Sequence, residues 1–442
     1  MGPIYIDISI HYVLLFHFEN NLYQLKMKKF RKQKIKKYIL MNRLTIYSLT
    51  FLLIVTLSVP HNTKAQIEHE PYPVYDTKPV IMKAPYLIDP SETAITVNWM
   101  TDTPSHSKVI YGKANSDTLD HVAESQQDGL LAVGTMQSVR LTGLEPGTDY
   151  RYKVASRRVV QLNPYWPEMG QWVKSPSYSF TTFDREKPVV SFSVITDTHE
   201  HVDWINDLMG MVDWEKTDFI LNNGDAFDYI LNEQQIFDKW LTPVSKGLDQ
   251  SVPLIFARGN HEFRVSYARQ LFKYVPIHTD NYYFTIEDGP AHLLVMDSGE
   301  DKPDTTNVYA GLNRMEQYKE IEYEWFKKHV EESEALKKAP FRIVAMHQPK
   351  WGWTGGQRDK WTKLANKANI DLVISGHWHR YDRIGPGEEG SNNEYPILVI
   401  GQKQIAHVNV TKQFIIVEVQ DIDGELIDSF CIDSEGRVQE KL

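Results

Sequence analysis

Several short polar clusters carry residue types suited to metal chemistry: Asp197-Thr-His199, Asn223-Gly-Asp225-Ala-Phe-Asp228, Gly259-Asn260-His261-Glu262, Met346-His347 and Gly376-His377-Trp-His379. Together they offer carboxylate, imidazole and amide oxygen, with no thiolate among them. That donor set suits Mn, Fe, Zn or a similar divalent ion. Singly, each cluster is weak evidence. Asp-x-His is most often a surface pair, Gly-Asp a turn, and a lone His after a strand a satisfied core or surface residue. Gly-His-x-His says more, because it sets two imidazoles on one side of an extended segment. Gly-Asn-His-Glu is uncommon. The full set in this order, each at the end of an apolar run, argues against a chance collection.

The clusters lie far apart in the chain, so the fold must gather them. Apolar, β-branched runs precede or flank them: Pro188–Ile195, Asp218–Leu221, Val252–Ala257, His292–Met296, Phe341–Ala345, Ile370–Ile374 and Pro396–Ile400. Continuous apolar runs suit strands buried on both faces. The charged stretch Arg314–Lys338 has helical spacing, and Phe414–Val419 returns to strand. Residues 187–442 are therefore expected to form an α/β layered domain, a β-sandwich flanked by helices. In open α/β sheets, sites form beyond the carboxyl ends of strands, so the clusters are expected to converge there.

Residues 79–184 read as all β. Ala94–Met100 alternates with period two, and Lys108–Gly112, Gln137–Leu141, Arg151–Val154 and Tyr178–Thr182 are further short strands. Short strands at regular spacing predict a sandwich. The segment Leu144-Glu-Pro-Gly-Thr-Asp-Tyr150 resembles the tyrosine corner of fibronectin type III domains, with Trp99 as the expected core Trp. Residues 66–78 are expected to be a linker.

The polar clusters resemble, block for block, the calcineurin-like metallophosphoesterase family. The resemblance implies a two-metal centre. Asp197, His199, Asp225 and His379 would hold one ion. Asp225, Asn260, His347 and His377 would hold the other, with Asp225 bridging. His261 would be the catalytic His, oriented by Asp228. Two such ions can activate a bridging water and clamp phosphoryl oxygens during in-line attack. His261 could then protonate the leaving oxygen. Two carboxylates and a hydroxide would leave about +1 on the centre, enough to draw in a phosphate. A sandwich ahead of such a domain is similar to the purple acid phosphatases. Those enzymes have Asp-x-Gly in place of Asp197-Thr-His199, and a ligand Tyr at the position of Asp228. Tyr229 is one place off, so no tyrosinate colour and no special ferric preference are expected.

Other residues beside the clusters have two readings each. Arg258 could reach a phosphate or form a structural ion pair. Trp351 and Trp353, in the Gly-rich loop after His347, could form a mobile wall facing substrate or pack against the sandwich. Glu262 reads as support behind the ligands.

Composition narrows the class. Hydrophobic residues are 42% and charged residues 24%, ordinary for a globular protein. Residues 41–65 run from a basic start through an apolar stretch to Ala65, the pattern of a secretory signal peptide cleaved after Ala65. An uncleaved anchor is the alternative and would be the chain's one link to a membrane, although the apolar run is short for a span. Translation is expected to begin at Met27 or Met41. Residues 1–65 hold a surplus of eight positive charges, so the net charge of −10 becomes −18 in the mature chain. Such an acidic protein is a poor partner for nucleic acid. Cys431 is the single cysteine, so no intramolecular disulfide forms.

The expected function is hydrolysis of small phosphate esters, mono- or diester, in the periplasm or outside the cell. The alternative is a silent glycan- or partner-binding protein on the same scaffold. Degenerate enzymes usually lose ligands, and this chain keeps every one, together with His261 and Asp228. Nothing in the sequence predicts an oligomeric state.

Overall fold

The computed structural model describes residues 72, 74–248, 250–388 and 392–440. The signal segment 41–65 and the candidate start sites Met27 and Met41 lie outside the described residues.

The N-terminal half is built on one long strand, Ala94–Lys113. Its first part pairs antiparallel with Ile81–Ile88 and Val133–Thr142. Its second part pairs with Asp149–Gln161. The register shifts between Met100 and Ser105, where the strand exchanges partners. Alternate residues fill one core, with Leu87, Val97, Trp99, Leu141 and Tyr152 fully buried or nearly so. The Trp99 indole donates to Ser156 Oγ at 3.0 Å, which satisfies its buried N–H. The Tyr150 hydroxyl accepts from the Glu145 amide at 3.0 Å and pins the turn between them.

The C-terminal half has two sheets. In the first, Val189–Ile195, Phe219–Asn223 and Leu254–Ala257 run parallel in that order. Antiparallel strands Gln404–Thr411, Phe414–Asp421 and Leu426–Asp433 extend it beyond Val189–Ile195. The second sheet orders Ala291–Val295, Phe341–Ala345, Leu372–Ser375 and Ile397–Val399 as parallel neighbours. The sheets face each other across a core that includes Phe192, Leu221, Leu293, Ile343 and Ile374. The helix Val202–Gly210 contributes Ile205 and Leu208 to the core behind the first sheet. Met315–Glu332 and Arg358–Lys367 contribute Phe326 and Trp361 to the core behind the second. Strands covered on both faces are apolar throughout, which explains the continuous runs.

The stretch 314–338 is two helices, not one. Ser333 is extended and its Oγ accepts from Leu336 N at 3.1 Å, so it ends the first helix and caps Glu334–Lys338. Among the described residues, no helix is long and apolar enough to cross a membrane.

The halves share a sheet. Ile88 pairs parallel with Leu254, so the end of Ile81–Ile88 meets the start of the strand that leads to Asn260 and His261. The Tyr86 hydroxyl donates to the Tyr274 carbonyl at 2.6 Å, in the buried seam between them.

Candidate metal centre

Each parallel strand stops short of a sharp turn that carries polar residues. Asp197, His199, Asp225, His377 and His379 all have positive φ, between 42° and 70°. Such angles are uncommon outside glycine and concentrate at functional sites. The turns are stitched to one another. Asp197 N donates to Gly224 O at 3.1 Å, His199 N to Asp225 O at 3.1 Å, and Gly376 N to His347 O at 2.8 Å. Two glycines allow this crowding. A Cβ on Gly259 would strike Asp225, and one on Gly376 would strike Thr196 and Asp197.

The structure brings the predicted residues together. Donor atoms of Asp197, His199, Asp225 and His379 lie within 4.8 Å of one another, as do those of Asp225, His347 and His377. Asp225 belongs to both groups. Asn260, fully buried, sits between Gly259 and His261, and the His261 amide donates to Asp225 Oδ1 at 3.0 Å.

The outer atoms of these residues are tied down, and that aims the inner ones. His347 Nδ1 donates to the Asn223 carbonyl at 2.8 Å, and His199 Nδ1 to Asp228 Oδ1 at 2.9 Å. Each ring thus turns its Nε2 lone pair inward, a pattern usual for metal-binding imidazoles. Asp197 Oδ2 accepts from Thr196 Oγ1 and from the His377 amide, both at 2.9 Å. What remains is Asn260 Oδ1, buried without a hydrogen-bond partner, together with Asp197 Oδ1 and His347 Nε2, which are buried and meet only other members of the group, His379 Nε2 at 3.3 Å and Asp225 Oδ2 at 3.0 Å. Buried polar atoms are rarely left so. Oxygen and imidazole donors with spare lone pairs fit a divalent cation of the Mn, Fe or Zn kind.

Electrostatics point the same way. Burial disfavours charge on His347, yet Asp225 and Asp197 outweigh it and push its pKa up to about 10. Burial likewise works against the Asp225 carboxylate, and His347 at 3.0 Å still holds it well below the usual range. The centre therefore favours positive charge at one point. Burial lowers the pKa of His199 and of His377, which keeps both rings neutral and able to coordinate. Glu262 is buried behind the site. Its carboxylate accepts from the amides of Asp225, Ala226 and Gly259 at 2.7–3.0 Å and clasps two of the turns together. Burial, then the Asp225 charge, raises its pKa to about 7.

Other expectations are corrected. The Asp228 carboxylate does not orient His261; it holds His199. His261 Nδ1 donates instead to the Asp228 backbone carbonyl at 3.0 Å. Arg258 does not face a substrate. It donates from Nε to Asp297 Oδ2 at 2.9 Å, and its guanidinium is sandwiched between the rings of Phe263 and Tyr282, 3.7 and 3.9 Å from their centroids. Trp351 is no mobile wall, nor does it pack on the sandwich. It is 1% exposed, stacked on Trp361 and bonded through Nε1 to the Tyr395 hydroxyl at 3.2 Å. Trp353 is partly exposed and directs its indole N–H to Glu316 Oε1 at 3.4 Å.

Sequence reasoning missed Arg264. Its Nη1 donates to His261 Nε2 at 2.8 Å, and its Nε lies 3.5 Å from Glu300. Only its place three residues after His261 could have flagged it.

Residues 190–381 match the family described as calcineurin-like phosphoesterase. Residues 86–182 match the N-terminal domain of purple acid phosphatase. Among solved structures, a purple acid phosphatase isolated from yellow lupin (Lupinus luteus) seeds is similar over 80% of this chain and 75% of its own, with a TM-score of 0.61 and 16% identity. At that identity the likeness speaks for the fold. A conserved uncharacterized protein and predicted phosphoesterase from Streptococcus pneumoniae aligns over 58% of this chain and 99% of its own, at 12% identity and a TM-score of 0.29. No curated protein matches. The match over residues 190–381 supports a metal-dependent phosphoesterase hydrolase.

Proposed function

We propose that this phosphoesterase is secreted, that it works with two divalent cations, and that its substrates are small phosphate mono- or diesters. The leader 41–65 and the division into 79–184 and 187–442 are part of the same reading. Asp197, His199, Asp225 and His379 would hold one cation; Asp225, Asn260, His347 and His377 would hold the other. The observation that carries this is the convergence of the Asp and His donor atoms in two groups that share Asp225, with the buried Asn260 Oδ1 left without a hydrogen-bond partner beside them. When bound, such cations would draw in an anionic ester and make water acidic enough to attack near neutral pH.

The chain's own residues do the rest. The clasped turns fix the donors before substrate arrives, so little reorganisation is needed. Asp228 holds the His199 ring in one orientation through Nδ1. His261 Nε2, 3.8 Å from Asp225 Oδ2, is placed at the rim of the centre. In hydrolysis, a bond forms from the water oxygen to phosphorus as the ester P–O bond breaks. His261 Nε2, which accepts from Arg264 Nη1 in this structure, would release that contact and take up a proton before passing one to the departing oxygen, which leaves as the alcohol.

The test is turnover of para-nitrophenyl phosphate and its bis-ester by residues 66–442 loaded with Mn, Zn or Fe. Asp225→Ala should abolish turnover, and His261→Ala should lower kcat by roughly 10²–10⁴-fold, as loss of a general acid does. Failure to bind two ions, or no turnover with any of the metals, would overturn the proposal.

A further inference from the structure

A cleft of about 590 Å³ is lined by Phe263, Arg264 and Val265, the residues that follow the His261 turn, and the mechanism above does not use it. Its near wall is Arg264, whose guanidinium already touches His261 Nε2. That nitrogen is the atom that would protonate the departing oxygen. On the reading above, the alcohol must therefore leave on the side of His261 where Arg264 stands, and the cleft is the space there.

The lining has a distinct chemistry. Val308 and Leu312 are each 72% exposed and Val265 is 42% exposed, so the walls offer unburied apolar surface. Val265 also takes φ of 71°, a costly conformation for a β-branched residue, at the bend that leads from His261 into the cleft. Arg264, Arg269 and Lys302 add three cations to a lining whose one carboxylate is Glu300. Glu300 is already engaged by the Tyr309 hydroxyl at 2.9 Å and faces Arg264. Lys302 is paired with Asp301 at 2.5 Å. Arg269 donates to the Val265 carbonyl at 3.3 Å and pairs with no carboxylate among the described residues. In a chain of net charge −10, a surplus of cations over apolar walls is a local reversal.

We propose that this cleft seats the leaving alcohol, and that it favours phosphate esters whose alcohol has an apolar body bearing a second anionic group. The apolar body would cover Val308 and Leu312, and the anion would meet Arg269. The inference rests on the phosphoesterase reading, and the experiment separates the two. The metal-loaded chain is assayed on methyl phosphate, phenyl phosphate and 4-carboxyphenyl phosphate. The preference in kcat/KM for the carboxylated over the plain aryl ester should fall about five-fold in Arg269→Gln, mainly through KM, the scale of one exposed ion pair. The preference for phenyl over methyl phosphate should fall in Leu312→Asn. Both side chains lie on the surface, so both variants should keep the parent melting temperature. Turnover with both preferences unchanged would overturn the cleft assignment alone. No turnover of any ester by the parent chain would overturn the phosphoesterase reading and the cleft with it.

Discussion

The carboxylate of Asp228 lies 2.9 Å from Nδ1 of His199 and holds that ring with its Nε2 facing the centre. Such outer partners set the tautomer and basicity of a ligand imidazole. Asp228→Asn should weaken metal binding by the group that contains His199 by about 10–100-fold, seen as a lower metal stoichiometry after dialysis. A variant that keeps full metal affinity and loses only kcat would mean that Asp228 acts on His261 after all.

Crowding at the turns makes a second prediction. A methyl group on Gly259 meets Asp225, which is part of both donor groups. Gly259→Ala should cost about 1–3 kcal/mol of stability, the scale of overpacking in a filled interior. It should also remove activity, because the collision displaces a proposed ligand. Denaturant unfolding and the aryl phosphate assay check the two effects. Parent-like values in both would show that the turn has room to give.

Trp351 separates a packing role from a substrate role. Its indole is enclosed by Phe326, Trp361 and the Tyr395 hydroxyl. Trp351→Ala should lower stability by about 3–5 kcal/mol, as expected for a large aromatic deleted from a core. KM measured well below the variant's melting temperature should barely change. A raised KM with intact stability would return Trp351 to the substrate.

Acid should weaken the fold through His292. The ring is buried against His329, with the two Nε2 atoms 2.9 Å apart. Burial, then the His329 charge, lowers its pKa to about 3. The unfolded chain takes up that proton near pH 6.5 and the folded chain does not. Stability is therefore complete above about pH 6.5 and falls as pH drops toward 3. His292→Gln should flatten the melting temperature between pH 7 and 4. A slope equal to the parent's would assign the acid sensitivity to other groups.

The visible spectrum tests the identity of the donors. Asp228 stands where the purple enzymes have their ligand Tyr, and the neighbouring Tyr229 is 52% exposed. The iron-loaded protein should show no strong tyrosinate band. A purple preparation would place a phenolate on the metal.

Much of this was legible in the sequence, for a physical reason. A parallel strand buried on both faces must be apolar, and its carboxyl end must turn, so polar residues there stand out against the run. That contrast marks Asp197, Asp225, Asn260, His347 and His377. It carries no information about second partners. Asp228 lies one turn from both His199 and His261, and only the backbone path decides which ring meets its carboxylate. Arg258 and Trp351 follow strands just as the ligands do. Their fates were set by Asp297, Phe263, Tyr282 and Trp361, residues from segments the motif does not mention. Arg264 had no pattern to belong to. Ser333 shows a smaller limit: a helical charge pattern runs through a cap without registering the break.

The pairing of Ile88 with Leu254 has a consequence for how the chain can be divided. Without Ile88, Leu254 would lose its neighbour on that side and the border of Leu254–Ala257, just before Asn260 and His261, would be open along its whole length. Unpaired borders of this kind invite other chains to add on. The N-terminal half thus serves as a selvedge for the hydrolytic half, and a version cut between them should clump rather than work. Heat should undo both together in a single step, as one fabric.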